Sequence, residues 1–351
     1  MYEASAMLFY KEVVYSIVAL ISFWIVFLLP ITILSWLIPF FYWINIILIL
    51  CVKFFGISKL GAQRWLEIPF INFTIQPSEI FKIFFILMLA YLIKKNPPNK
   101  FGYNLKDFII FSFYILLPFY LILDQPDLGT ALILLLVGYG ILFIIGVNKK
   151  IWISMFLILA ISSPLLYSSL HDYQKRRIAD FISTKPSHQV KNSLIAIGSG
   201  GLIGNKKEEA TQTHLKFLPI ATSDFIFAYF GERFGFIGSF ILILLYLFLI
   251  IHLLLYNIRY KEHYLLRVMA TGVSLMLFLY LSVNIAMTVG LAPVVGIPIP
   301  LLSYGGSSFV TFCILFGIIQ NLISFRFDTT YESVRMKKPV LKGISRDPRY
   351  N

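Results

Sequence analysis

The stretch VVYSIVALISFWIVFLLPITILSWLIPFFYWINIILILCVKFFGI, residues 13–57, decides the fold class. It is almost unbroken hydrocarbon, and it is long enough for two runs of about twenty residues, the length a helix needs to cross a bilayer. Pro30 and Pro39 punctuate it, which predicts a helical hairpin with a tight turn near Thr32 to Trp36. A transmembrane barrel is excluded, because its strands would alternate over roughly ten residues.

Further apolar runs follow at residues 78–95, 107–123, 128–146, 151–168, 225–257, 265–289 and 305–325. With the hairpin they predict about nine membrane helices. The composition agrees: 58% of the 351 residues are hydrophobic and 13% are charged, where a soluble domain carries about 25% charged residues. The fold class is therefore an all-α polytopic integral membrane protein. Residues 1–325 form a single membrane domain interrupted by one large loop at 169–223, and residues 326–351 form a polar, basic tail.

A net charge of +13 invites a nucleic-acid reading, but the basic residues sit in loops and in the tail, and charge sorted this way reads as topology. Lys94, Lys95, Lys100 and Lys106, then Lys149 and Lys150, then Arg259, Lys261 and Arg267, and finally the tail all fall on one side. The positive-inside rule makes that side cytoplasmic and puts the 169–223 loop outside. The tail is expected to be a solvated end touching anionic lipid. An odd number of spans with the tail inside leaves Met1 outside, so either the count is off by one or a first helix is absent. The first apolar run lacks a cleavage site and is not a signal peptide. Cys51 and Cys313 lie inside apolar runs and suggest neither a disulfide framework nor a metal cluster.

Six polar stretches are candidates for chemistry. GAQRWLEIPFINFTIQPSEIFK, residues 61–82, reads as a folded outer loop in which Trp65 suits the interface and Arg64 can hold an anion. Glu79 and Lys82 are three apart and can pair on one helix face as they enter the bilayer. Such a pair is either functional or a structural tie between helices. In DQPDLGT, residues 124–130, Pro126 sets the bend and Asp127 either caps the next helix or positions a substrate or cation. HDYQKRRIADF sets Lys175, Arg176 and Arg177 beside the membrane surface, and SHQVKNSLIAIGSGGLIG reads as a short interfacial helix ending in a glycine turn. No strand precedes those glycines and the Walker lysine is absent, which excludes a nucleotide loop.

LPIATSDFIFAYFGERFG, residues 218–235, brings Asp224 to the mouth of a hydrophobic helix. Thr222, Ser223 and Asp224 suit a helix cap, yet a carboxylate there also suits a general base. Glu232 would face within a quadrant of it if the helix ran through both. GLAPVVGIPIPLLSYGGSS, residues 290–308, holds Ser303, Tyr304, Gly305 and Gly306 where the last helix begins, either an anion site of backbone N–H groups or a structural turn. His252 and Asn284 read as packing residues with their polar groups satisfied.

GAQRW with QPSE, QPDLGT, IAIGSGGL leading to FLP and SDFIFA, and PIPLLSYGGSS together resemble the SEDS family of shape, elongation, division and sporulation proteins. The resemblance covers nearly the whole chain. YQKRRI, TQTHLKFLP and PVVGIPIP bring it nearest to the elongation branch. It implies a fold of ten membrane helices, the first missing here, in the bacterial cytoplasmic membrane. It implies an enzyme that polymerises lipid II outside that membrane, beside a class B penicillin-binding protein and other membrane proteins of the elongation machinery. The family's catalytic aspartate maps onto Asp224, its intramembrane Glu and Lys onto Glu79 and Lys82, and its QRW arginine onto Arg64. The chain departs from the family at Ile220, Ser223 and Arg233, where an acid, a threonine and a second acid are usual.

Pyrophosphate leaves as a stable anion, so one base and a cationic or N–H cradle suffice for this glycosyl transfer. The expected assignment is Asp224 as base, with Arg64, Lys216, Arg176 and the 303–306 turn near the pyrophosphate, and Asp127 and Glu232 around the substrate. The sequence requires no cofactor or metal, and a divalent cation at the pyrophosphate is the open alternative. Two rivals stand: a lipid II flippase using Glu79 and Lys82 as pathway residues, and a scaffold without catalysis.

Overall fold

The computed structural model describes residues 2–59, 62–68, 73–168, 172–182, 187–206 and 223–325. Nine helices in it have membrane length: α1 (Tyr2–Leu28), α2 (Ile38–Phe55), α3 (Pro77–Lys95), α4 (Leu105–Leu123), α5 (Leu128–Ile145), α6 (Lys149–Ser168), then, after two short helices, α9 (Ile226–Arg259), α10 (Tyr264–Thr288) and α11 (Gly306–Ser324). The short pair is α7 (Asp172–Ile182) and α8 (His188–Ser199). Seven of the nine are long and apolar enough to cross a membrane, judged by length and composition. The hairpin turn falls as expected, Pro30 opening it and a 3-10 turn, Leu34–Leu37, closing it.

The loop after α2 is not irregular. It is a three-stranded antiparallel meander of β1 (Ile57–Lys59), β2 (Ala62–Ile68) and β3 (Phe73–Ile75), with Leu66 opposite Ile75 and Glu67 opposite Thr74. Its backbone groups satisfy one another across the strands, as any loop near hydrocarbon requires. The sheet stiffens the segment that carries Arg64.

α3 and α10 form the centre of the bundle. Small residues let their neighbours approach closely: a Cβ on Gly272 of α10 would meet Ile86 of α3, and one on Gly138 of α5 would meet Phe85 and Ile115. α1 lies along α11 in the same way, with Gly306 under the ring of Tyr15 and Gly317 against the backbone of Phe23. Asn321 donates to the carbonyls of Phe27 and Leu29 at 2.6 and 2.5 Å, tying the end of α1 to α11.

α9 is not one span. At about 1.5 Å per residue a straight helix of this length would far exceed the roughly 30 Å of hydrocarbon. Gly235 breaks it with φ +65° and ψ −163°. The glycine turn after α8 wraps that break: Phe236 N donates to Gly201 O and Ile237 N to Leu202 O. A side chain at Gly235 would lie 2.5 Å from Gly204 N. The glycines at 200–204 therefore serve helix packing. Gly235→Ala combines an unfavourable φ with that clash and is expected to remove roughly 1–3 kcal/mol of stability, read as a lower unfolding temperature of the detergent-solubilised protein.

Candidate functional site

At the end of the bundle opposite the basic loops, three segments meet: the β-meander with the 124–127 turn, helices α7 and α8, and the turn at 223–225 that enters α9. Asp224 sits in this last turn. It does not cap α9, whose N-cap is Phe225 with no side-chain bond. Its carboxylate instead accepts from Ser223 Oγ at 2.8 Å. Two other segments hold the backbone of the turn. Asn284 of α10 donates to Asp224 O at 2.8 Å and to Ile297 O at 2.6 Å, and Ser303 Oγ donates to Ser223 O and accepts from Ile299 N, each at 2.8 Å. Gly296, with φ +74°, lies so close to the carboxylate that a Cβ there would stand 3.0 Å from Oδ2.

Burial pushes the Asp224 carboxyl above the ordinary carboxylate range, while the Ser223 hydroxyl, Arg177 and Arg64 pull it back toward ionisation. Both effects suit a base: desolvation raises proton affinity, and the donors keep the ionised form populated.

Arg64 and Asp127 come together, with NH1 3.5 Å from Oδ1. Arg64 also donates to the carbonyls of Gln125 and Pro126, so its guanidinium is committed to the 124–127 turn. Asp127 is the N-cap of α5, accepting from Thr130 N at 3.3 Å and from Gln76 at 3.4 Å. It thus acts as both a cap and an ion-pair partner.

Glu79 and Lys82 pair at 2.6 Å as their spacing predicts. Lys82 is fully buried, its ammonium 5.0 Å from the centre of the Tyr280 ring. Thr311 of α11 donates to Glu79 O at 3.3 Å. The pair thus joins α3 to α10 and α11 beneath the site.

The other expected positions divide. Ser303 is brought beside Asp224, but its N–H donates to Ile299 O and adds nothing to an anion cradle. Gly306 packs on Tyr15 where α11 opens, and Tyr304 and Gly305 lie half-buried just before it. Glu232 is not on a shared helix face with Asp224, because α9 begins only at Ile226. It is fully buried where α9 meets the 200–205 turn, its carbonyl accepting from Asn205 N. Arg176 lies in α7 with its side chain outside the described residues, and its neighbour Arg177 acts on Asp224. The α7 spacing of Gln174, Arg177 and Phe181 carried that signal: Gln174 is buried, and the other two line a cavity. Lys216 and the 326–351 tail lie outside the described residues. Asn284, read from sequence as packing, is the residue that fixes the Asp224 backbone.

This architecture is that of a multi-pass membrane protein with a half-buried carboxylate, Asp224, held at the end of its bundle. The chain belongs to the SEDS (FtsW/RodA/SpoVE) family: the pattern of that family, described as "Cell cycle protein", matches residues 1–327. It is 56% identical over 332 residues to the peptidoglycan glycosyltransferase MrdB of Helicobacter pylori strain 26695, covering 95% of this chain and 87% of that one. It is 40% identical over 296 residues to the protein of the same name from Escherichia coli K12, covering 82% and 78%. Its fold matches a chain of a peptidoglycan synthase complex solved to show coordination of polymerization and crosslinking, at 23% identity and TM-score 0.78 over 92% and 90% of the two chains. It also matches Thermus thermophilus RodA at 24% identity and TM-score 0.67, over 92% and 89%.

Two measurements test this geometry. Ser223→Ala removes a bond to the ionised carboxylate, so Asp224 holds its proton to higher pH, and the acid limb of the kcat/KM profile should move up in pH. Glu79→Ala strands the Lys82 charge and is expected to cost about 3–5 kcal/mol; exchanging the two residues should recover much of that in the unfolding temperature.

Proposed function

We propose that this protein is a peptidoglycan glycosyltransferase that polymerises lipid II at the outer face of the bacterial cytoplasmic membrane. Asp224 is the general base. The observation that carries this reading is the clamped 223–224 turn: a half-buried carboxylate, not used as a helix cap, held by Asn284 and Ser303 with two arginines acting on it.

Asp224 takes the proton of the acceptor sugar hydroxyl as its oxygen bonds to the anomeric carbon of the donor. The bond from that carbon to the pyrophosphate oxygen breaks, and its electron pair leaves with undecaprenyl pyrophosphate. Lysozyme-type hydrolysis uses two carboxylates; here the leaving group is already a weak base, and one suffices. Arg64, kept in place by Asp127, sets a cationic field on the donor side. Lys216, from the loop outside the described residues, is proposed to add to it. Glu79 and Lys82 hold the helices below.

A divalent cation at the pyrophosphate remains a proposal. Among the described residues no three His, Cys, Asp or Glu side chains converge, so such an ion would be held chiefly by phosphate oxygens, and no step above is routed through it. The basic loops and the C-terminus face the cytoplasm in this reading, by the positive-inside rule. The proposed partner is a class B penicillin-binding protein that crosslinks the product, supported by the fold match to a synthase complex.

The test is lipid II polymerisation in detergent by the purified protein with a cognate class B penicillin-binding protein. Asp224→Asn, at matched folding and complex yield, should lower the rate by about 10²–10⁴-fold, the usual range for a general base. Equal polymer from both would remove Asp224 from the mechanism, and none from either would reopen the flippase and scaffold readings.

A further inference from the structure

Between α7, α8 and the turn that follows α10 lies a cavity of about 400 Å³, a size typical of small-molecule sites. Arg177, Ser187, Gln189, Val190, Pro293 and Val294 line it. The wall is amphiphilic, with a guanidinium, a hydroxyl and an amide set among proline and valine carbons. A pyranose is divided in the same way, polar at its edge and apolar across its C–H face. An acyl chain would be a poor match for the guanidinium and the amide.

The cavity and the base share their supports. Phe225, next to Asp224 in the chain, packs in one apolar cluster with Ala196 of α8 and Val294 of the cavity wall. Two residues beyond Val294, Gly296 stands against the Asp224 carboxylate. Arg177 both lines the cavity and acts on that carboxylate. The turn is seated firmly on α8: Gly290, with φ +78°, has room for a Cβ only 3.2 Å from Val190. Ser193 of α8 donates to Thr288 O at the end of α10 at 2.8 Å. The cavity is therefore preformed by the elements that aim the base.

We propose that this cavity is the acceptor-saccharide subsite, holding the sugar whose hydroxyl faces Asp224, with Gln189 and Ser187 meeting ring substituents and Arg177 a carbonyl or carboxylate beside them. The inference rests on Asp224 acting as the base. It separates the two substrates: the acceptor lies on the α7–α8 side and the donor pyrophosphate on the Arg64 side.

The probe is a fluorescent, lipid-free disaccharide–pentapeptide head group of lipid II without its pyrophosphate, which can accept a glycosyl group but cannot donate one. Its binding to the full chain in detergent is measured by anisotropy. Wild type and Asp224→Asn should bind it alike. Gln189→Ala and Arg177→Ala should each weaken it about tenfold, the effect of one lost charged or amide hydrogen bond, while Lys53→Ala should leave it unchanged. A photoreactive form of the probe should label peptides within 187–194 or 289–294 of the unmutated protein, which guards against variants that fold poorly. Labelling elsewhere, or binding insensitive to Gln189 and Arg177, overturns the subsite. If Asp224→Asn polymerises normally while the probe still labels the cavity, the base assignment fails and the saccharide site stands.

Discussion

The carbonyls of Ser223 and Asp224 lie where the chain turns into a membrane helix, and each accepts a hydrogen bond from another part of the fold, Ser303 and Asn284 respectively. The rest of the site depends on this pair of bonds. Near hydrocarbon a carbonyl without a partner is costly, so the turn is stable only when α10 and the loop leading to α11 are in position. The same donors also bond Ile297 O and, through Ser303 as acceptor, Ile299 N. Two side chains thus fix two irregular segments to each other. Because the backbone is held from outside, the Asp224 carboxylate is not needed as a cap.

Beneath this turn, the bundle solves a harder electrostatic problem. A fully buried lysine is tolerated only with a partner, and Glu79 supplies it within the same helix while Tyr280 presents its ring from α10. Above it, Arg64 is drawn to two carbonyls and Asp127, which anchors the β-meander to the start of α5. Charges at both levels thus tie elements that hydrophobic packing alone would leave in loose register, since lipid tails are as apolar as leucine.

Much of the frame was legible in order of residues. The hairpin over 13–57, the nine membrane-length helices, the pairing of Glu79 with Lys82, the cap at Asp127 and the short helix ending at the glycine turn all follow from short-range rules. The misses share one cause. The meander around Arg64 hides behind Gly and Pro because strand pairing is non-local. The assumed helical face joining Asp224 to Glu232 dissolved because the turn at 223–225 is stabilised by residues sixty to eighty positions away. Arg177 was left without a role because which α7 side chains reach Asp224 depends on how that helix lies on its neighbours. Asn284 read as packing because nothing local reveals that its amide spans two distant carbonyls.

The sequence by itself determined that this is a polytopic helical membrane protein of the SEDS family, with its chemistry-bearing residues gathered at one end of the bundle. Hydropathy, charge sorting and motif order carry that much because each depends on neighbours a few residues apart or on the bilayer itself. Tertiary structure alone decided that Asp224 is held by Asn284 and Ser303, that Arg177 and Arg64 act on it from two different elements, and that Arg177 also lines a cavity between α7, α8 and the turn after α10. Those outcomes require bonds between segments far apart in the chain, and a hydrogen-bond partner is chosen by where the packed helices bring it.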